Sequence, residues 1–275
     1  MTWHSRSTAP GLRRRTAEPA VELGVHLRSR TGPGGGRVRV LLVSDLHYRL
    51  RQFDWLLERA VAVDALMIAG DLLDIRSQVA LDVQAVAVRA ALRELAGETT
   101  VFVASGNHDL DGRDDAGEKV THWMAQFGAI GVHGDYSTVP LGDDLVTVCP
   151  WWDGPQARAT LDACLTEAAS RPRRRWIWVH HAPPAGSPLA WDGRRAWGDD
   201  QLSSWIERFT PDLVLTGHVH QAPFVPGGGW VDRVGTTWVF NSGQQPGVSP
   251  ARIEIDLDAV TAVWTSATDR AKIEF

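Results

Sequence analysis

An α/β fold is the class this sequence predicts, on three observations. Short runs of apolar, β-branched residues alternate with stretches of helical periodicity, the pattern of βαβ units with helices on both faces of a sheet. Shorter strands crowd the end of the chain, which predicts a second sheet packed against the first. The 275 residues, 44% of them hydrophobic, suffice to bury a sizeable core.

The elements follow in order. Val38 to Val43 is an apolar, β-branched run, read as a buried strand. Residues 52–63 carry helical spacing, with Phe53, Leu56, Leu57 and Ala60 on one face. Residues 65–69 form a second buried strand, 79–95 a long helix rich in Ala, Val and Leu, and 99–103 a third strand. Residues 118–127 are expected to be helical, 136–148 to hold short strands around Gly142, and 161–169 to be helical. A strand at 176–179, a helix at 200–209 and a strand at 212–215 come next. Residues 238–240, 252–257 and 260–266 read as closing strands.

Residues 1–36 are rich in Arg, Gly, Pro, Ser and Thr and end in a Gly/Pro run, so a flexible N-terminal arm is expected before one domain at 37–275. With 28 basic against 33 acidic residues, net charge −5, the chain lacks the basic excess of a general nucleic-acid binder. A nucleic acid reached through a metal site is not excluded. The two cysteines, Cys149 and Cys164, form no Cys-x-x-Cys pair, which argues against a zinc ribbon and against a disulfide scaffold. No secretory signal or membrane-spanning run is legible, so a cytoplasmic protein without membrane attachment is expected.

The chemistry lies at the strand ends, where open α/β sheets gather their ligands. Asp45 and His47 follow the first strand, Gly70 and Asp71 the second, and Gly106, Asn107, His108 and Asp109 the third. His180 and His181 follow the strand at 176–179, and Gly217, His218 and His220 the strand at 212–215. A single such motif is weak; five in order, each behind an apolar strand, are not explained by helix capping. Mixed His, Asp and Asn donors without thiolate suit Mn, Fe or Zn ions.

This series, Asp-x-His, Gly-Asp, Gly-Asn-His, His and Gly-His-x-His, resembles the calcineurin-like metallophosphoesterase superfamily over residues 38–243. The resemblance implies two packed mixed β-sheets flanked by helices, and a site for two divalent or trivalent ions. It implies that Asp45, His47 and His220 bind one ion, that Asn107, His180 and His218 bind the other, and that Asp71 bridges them. His108 is then the acid that contacts the phosphate and assists the leaving group, and Asp74 a carboxylate orienting His108. Of the adjacent histidines, His180 is the better match for the ligand, with His181 a substrate contact beside Asn107 and His108. The Asn241-Ser242-Gly243 loop is expected to pack near the site without ligating.

Other residues carry weaker signals. Among the 13 Trp residues, Trp176, Trp178, Trp205 and Trp238 are read as core; Trp151, Trp152, Trp191 and Trp197 are read as lid packing or an aromatic wall. Tyr48 and Arg49 follow the Asp-x-His motif closely enough to reach a phosphate. The function expected is a dinuclear metal-dependent phosphoesterase, acting by a metal-bridging hydroxide on a small phosphodiester or nucleotide. The alternative is a non-catalytic scaffold or binding protein with the same fold.

Overall fold

The computed structural model describes residues 37–275; the expected N-terminal arm, 1–36, lies outside them. In chain order come β1 (Arg39–Val43), α1 (Leu50–Ala60), β2 (Ala65–Ala69), α2 (Leu81–Glu98) and β3 (Thr100–Ala104). A small hairpin, β4 (Gly112–Arg113) and β5 (Lys119–Val120), precedes β6 (Val132–His133), β7 (Thr138–Leu141) and β8 (Asp144–Val148). Then follow α3 (Pro155–Ala169), β9 (Trp176–Val179), α4 (Asp200–Phe209), β10 (Leu213–Thr216), β11 (Val231–Val234) and β12 (Thr237–Asn241). The meander β13 (Arg252–Asp256), β14 (Thr261–Thr265) and β15 (Arg270–Glu274) closes the chain.

β1, β2 and β3 read as unbroken apolar runs because both of their faces are covered. Val40, Leu42, Met67 and Phe102 face the second sheet, whereas Leu41, Val43, Leu66 and Val103 face α1 and α2. The first sheet runs β15-β14-β13-β1-β2-β3-β6, parallel from β1 to β6 and antiparallel through β13 to β15. The second runs β11-β12-β10-β9-β8-β7, with β8, β9, β10 and β12 parallel and antiparallel edges. Ile177, Val179, Leu213, Leu215 and Phe240 meet the first sheet; Trp176, Trp178, Val214 and Val239 pack with residues of α3 and α4. The layers are therefore helix, sheet, sheet, helix. Helices on both faces of one sheet, as the βαβ pattern predicts, are not found: each sheet keeps one face for the other sheet.

Local chemistry explains a second departure. Residues 118–127, expected as a helix, form β5 and a run of turns leading to a 3-10 turn at Phe127–Ile130. The Asp111 carboxylate takes the backbone N–H groups of His122 and Trp123, at 2.6 and 3.2 Å. The buried Glu118 carboxylate is committed to the open N–H groups of Gln156 and Ala157 at the start of α3, at 2.7 and 2.9 Å. The first contact closes the β4–β5 hairpin and the second reaches across the chain to α3, and together they override the local helical pattern.

Among the described residues no helix is long and apolar enough to cross a membrane. Both cysteines are free thiols, Cys149 buried and Cys164 half-buried.

Phe240 lies fully buried where the two sheets meet. Phe240→Ala is expected to cost about 3–5 kcal/mol of stability, read as a lower urea midpoint at unchanged slope. A loss under about 1 kcal/mol would mean that the sheets are not tightly packed there.

Candidate metal centre

Within each sheet the parallel strands point the same way, so the loops leaving β1, β2, β3, β9 and β10 carry the motif residues to one end of the sandwich. The backbone in these loops is tightly bent. Asp45 (φ 57°), His47 (φ 43°), Asp71 (φ 55°) and His218 (φ 66°) all lie in the left-handed region that non-glycine residues avoid. Close approach also restricts side chains: at Gly70 (φ 82°) an added Cβ would stand 2.5 Å from the His181 ring, and at Gly106 it would strike Asp71.

One group of donors surrounds Asp45. The ligating atoms of Asp45, His47, Asp71 and His220 all lie within 4.8 Å of one another. His220 Nε2 stands 3.0 Å from Asp45 Oδ1 and 3.1 Å from His47 Nε2. A second group adjoins it through Asp71, whose Oδ2 lies 3.7 Å from His47 Nε2 and 3.3 Å from His181 Nε2. His181 Nε2 is in turn 3.2 Å from His218 Nδ1. The buried side-chain oxygen of Asn107 accepts no hydrogen bond.

The adjacent histidines point in opposite directions, and the second rather than the first turns toward Asp71. His180 turns into the core: its ring stacks flat on Trp152, centroids 4.5 Å apart, and its Nδ1 meets the Cys149 carbonyl at 3.2 Å. His181 turns to the site, its Nδ1–H donating to the Ala69 carbonyl at 2.6 Å and leaving Nε2 toward Asp71. That bond fixes the tautomer a metal ligand needs. The physical reason is alternation: consecutive residues at a strand end project to opposite sides, and only the second reaches Asp71.

A family model, calcineurin-like phosphoesterase, matches residues 38–222. The chain belongs to the calcineurin-like phosphoesterase family. Solved structures agree on the fold. A dimetal phosphatase from Danio rerio is 14% identical with a TM-score of 0.56, covering 86% of this chain and 99% of its own. The protein TT1561 of Thermus thermophilus is 15% identical with a TM-score of 0.55, covering 87% and 99%. A purple acid phosphatase from yellow lupin (Lupinus luteus) seeds is 12% identical with a TM-score of 0.55, covering 88% of this chain and 54% of its own. No curated protein matches the sequence.

Metal dependence goes with this family, and the donors fit it. Imidazole nitrogens and carboxylate oxygens face one another at van der Waals range, and the orphaned Asn107 oxygen is a buried acceptor of the kind a cation satisfies. The electrostatics express the same need. Burial works against the charge of Asp45, yet the facing His220, His181 and His47 hold its carboxyl below the ordinary range. Burial depresses His47, and it pushes His218 down to about 4 and His180 down to about 3. His181 goes the other way: burial lowers it, but Asp71 and Asp45 outweigh burial and raise it to about 9.

Neighbouring residues tie the loops of the site together. The fully buried Asp109 accepts from the N–H groups of Leu72, Leu73 and Gly106 at 3.0, 2.9 and 2.8 Å, tying the Asp71 loop to the Asn107 loop. Burial and the Asp71 charge push its carboxyl up to about 8. Its position directly after Gly-Asn-His was the available signal. Ser44 donates to Asp45 at 2.5 Å and meets Ser242 at 2.8 Å, while Asn241 donates to the Leu189 and Val219 carbonyls and accepts from the Gly243 N–H. Asp74, expected to orient His108, stands 3.8 Å from its Nδ1, beyond hydrogen-bonding range, and accepts instead from the Arg76 N–H at 2.9 Å. The Ile75 N–H is the group that faces His108 Nδ1, at 3.4 Å.

An imidazolium must shed its proton to ligate, so metal binding near pH 7 is expected to release protons, His181 contributing most. Titrating Mn²⁺ into metal-stripped protein in buffers of different ionisation enthalpy measures that release, and affinity is expected to weaken as pH falls. Absence of proton release would mean that His181 is already neutral. In the metal-free protein the sign for stability is opposite: the His181–Asp71 contact contributes fully below about pH 6.5 and is lost as pH rises through about 9.

Proposed function

We propose that this protein is a dinuclear metal-dependent hydrolase of phosphate esters, acting on a small phosphodiester or a nucleotide within one domain spanning 37–275. The observation that carries the reading is the convergence of Asp45, His47, Asp71, His181, His218 and His220 from four loops, with the buried, unpaired Asn107 oxygen on a fifth. Asp45, His47 and His220 would hold one ion, Asn107, His181 and His218 the other, with Asp71 shared. Two such ions supply an activated water near neutral pH and neutralise charge on the phosphate.

The remaining roles fall to side chains at the rim. His108 is 12% exposed, and its Nδ1 faces the Ile75 N–H, which puts the ring proton on Nε2. Nε2 lies 4.0 Å from Asp71 Oδ2, beside the shared carboxylate, so the proton is positioned for a leaving alkoxide. Arg49 follows the His47 turn; with the Gln244 amide oriented to satisfy its bonds, the Gln244 oxygen accepts from Arg49 Nη2 at 3.0 Å. A neutral partner leaves the guanidinium charge available to a phosphate oxygen. Gln244 N–H itself donates to the His220 carbonyl at 3.2 Å, which ties Arg49 to the same end of the site.

Hydrolysis of bis(p-nitrophenyl) phosphate and p-nitrophenyl phosphate by metal-stripped protein resupplied with Mn²⁺ tests the reading. Asn107→Ala is expected to lower turnover at least about a hundredfold with the fold kept. Turnover indifferent to metal or to Asn107 would sink it, and bound metal without turnover on a broad ester panel would favour the scaffold alternative. His108→Ala is expected to lower kcat about 10²–10⁴-fold for an alkyl leaving group and less for p-nitrophenolate, which needs little protonation. Equal losses on both would remove His108 as the acid.

A further inference from the structure

Trp151 and Trp152 are consecutive, and the fold separates them as it separates His180 and His181. Trp152 is core: it stacks on His180 and meets Trp205 edge-on at 5.2 Å. Trp151 turns the other way. Its ring centroid lies 5.2 Å from that of His218 and 5.7 Å from that of His181, and no other ring contact is made among the described residues.

Ring direction and backbone anchoring, rather than burial, set Trp151 apart from its neighbour. Both tryptophans are half-buried, but only Trp151 has its ring against the site histidines. Its indole N–H has no hydrogen-bond partner among the described residues, a state it shares with the core residue Trp178. Its backbone is nevertheless pinned: Trp151 N–H donates to Ser105 Oγ at 2.9 Å, and Ser105 N–H donates to Asp135 Oδ1 at 2.9 Å. The pin runs to the segment that carries Asn107, so the ring is held in register with the site.

We propose that Trp151 is a stacking platform for the nucleobase of a nucleotide-type phosphate ester, placed at the end of the site formed by Asn107, His181 and His218. The proposal rests on the phosphoesterase reading, and deepens it by naming the substrate class. A phosphate held among the histidines puts its ester substituent beside the indole, and a flat aromatic group gains there what a sugar alone does not. Stacking on an indole is sequence-tolerant, because every base has a π-face. Base identity is therefore a secondary preference, with purines favoured by their larger overlap.

The test is calorimetric, with Mn²⁺-loaded protein and two probes whose P–C bonds resist hydrolysis: the phosphonate isosteres of adenosine 5′-monophosphate and of ribose 5-phosphate. The adenosine probe is expected to bind about tenfold tighter or more. Trp151→Ala is expected to bring the ratio near one while leaving the ribose probe within about twofold, and Trp151→Phe to retain most of the preference. Equal affinity for both probes in the native protein, binding of neither, or equal weakening of both in Trp151→Ala would overturn the proposal. Turnover of bis(p-nitrophenyl) phosphate by the same preparation reads the reaction separately. Base-dependent binding without turnover removes the hydrolase and keeps the platform; turnover without base-dependent binding does the reverse.

Discussion

Asp45 and Asp71 are carried side by side into a region that water barely reaches, and the site is organised around that burial. A buried carboxylate is stable only when it is paired and hydrogen-bonded. Here the pairing comes from His47, His181 and His220, from the Ser44 hydroxyl, and from the backbone N–H groups of His218 and His108. Those partners sit on loops from both sheets, so the two sheets must meet with the same ends aligned. The left-handed backbone at Asp45, His47, Asp71 and His218 is the local cost of aiming so many side chains at one volume, and the packed strands beneath hold it in place.

Alternation at the strand ends decides which residues serve the site and which serve the core. At the end of β9, His180 goes inward and His181 toward Asp71; just past β8, Trp152 goes inward and Trp151 toward His181. The inward pair stack on each other, the outward pair meet at the site, and each layer reinforces the other. The electrostatics divide in the same way. His180, remote from a carboxylate partner, is held neutral by burial, whereas His181 against Asp71 is held protonated until something displaces the proton.

The solved structures of this fold share 12–15% identity with the chain, which is a statement about architecture. Chemistry is carried by the site. On the proposed reading the buried donors hold cations and phosphate, and selectivity falls to the rim, where Arg49, His108 and Trp151 come from three separate loops. Rim residues bear little of the core's packing load, so one scaffold accepts different esters by changing them.

The sequence by itself determined the main strands, the motif residues at their ends and the family. Apolar β-branched runs ending in Asp, Asn, Gly and His report burial and chemistry through short-range patterns. Tertiary structure decided the rest. It turned His181 rather than His180 toward Asp71, and Trp151 rather than Trp152 toward His181, because a residue's side of the chain depends on where its strand ends. It set the Ile75 N–H nearer His108 Nδ1, at 3.4 Å, than the Asp74 carboxylate, at 3.8 Å, a difference that spacing does not encode. It tied Asp109 to the Asp71 loop and turned 118–127 from a helix into a hairpin strand and turns, through Glu118, whose partners lie in α3, and Asp111, whose partners lie past the hairpin. Spacing along the chain specifies which groups are available; direction and distance are fixed only when the sheets pack.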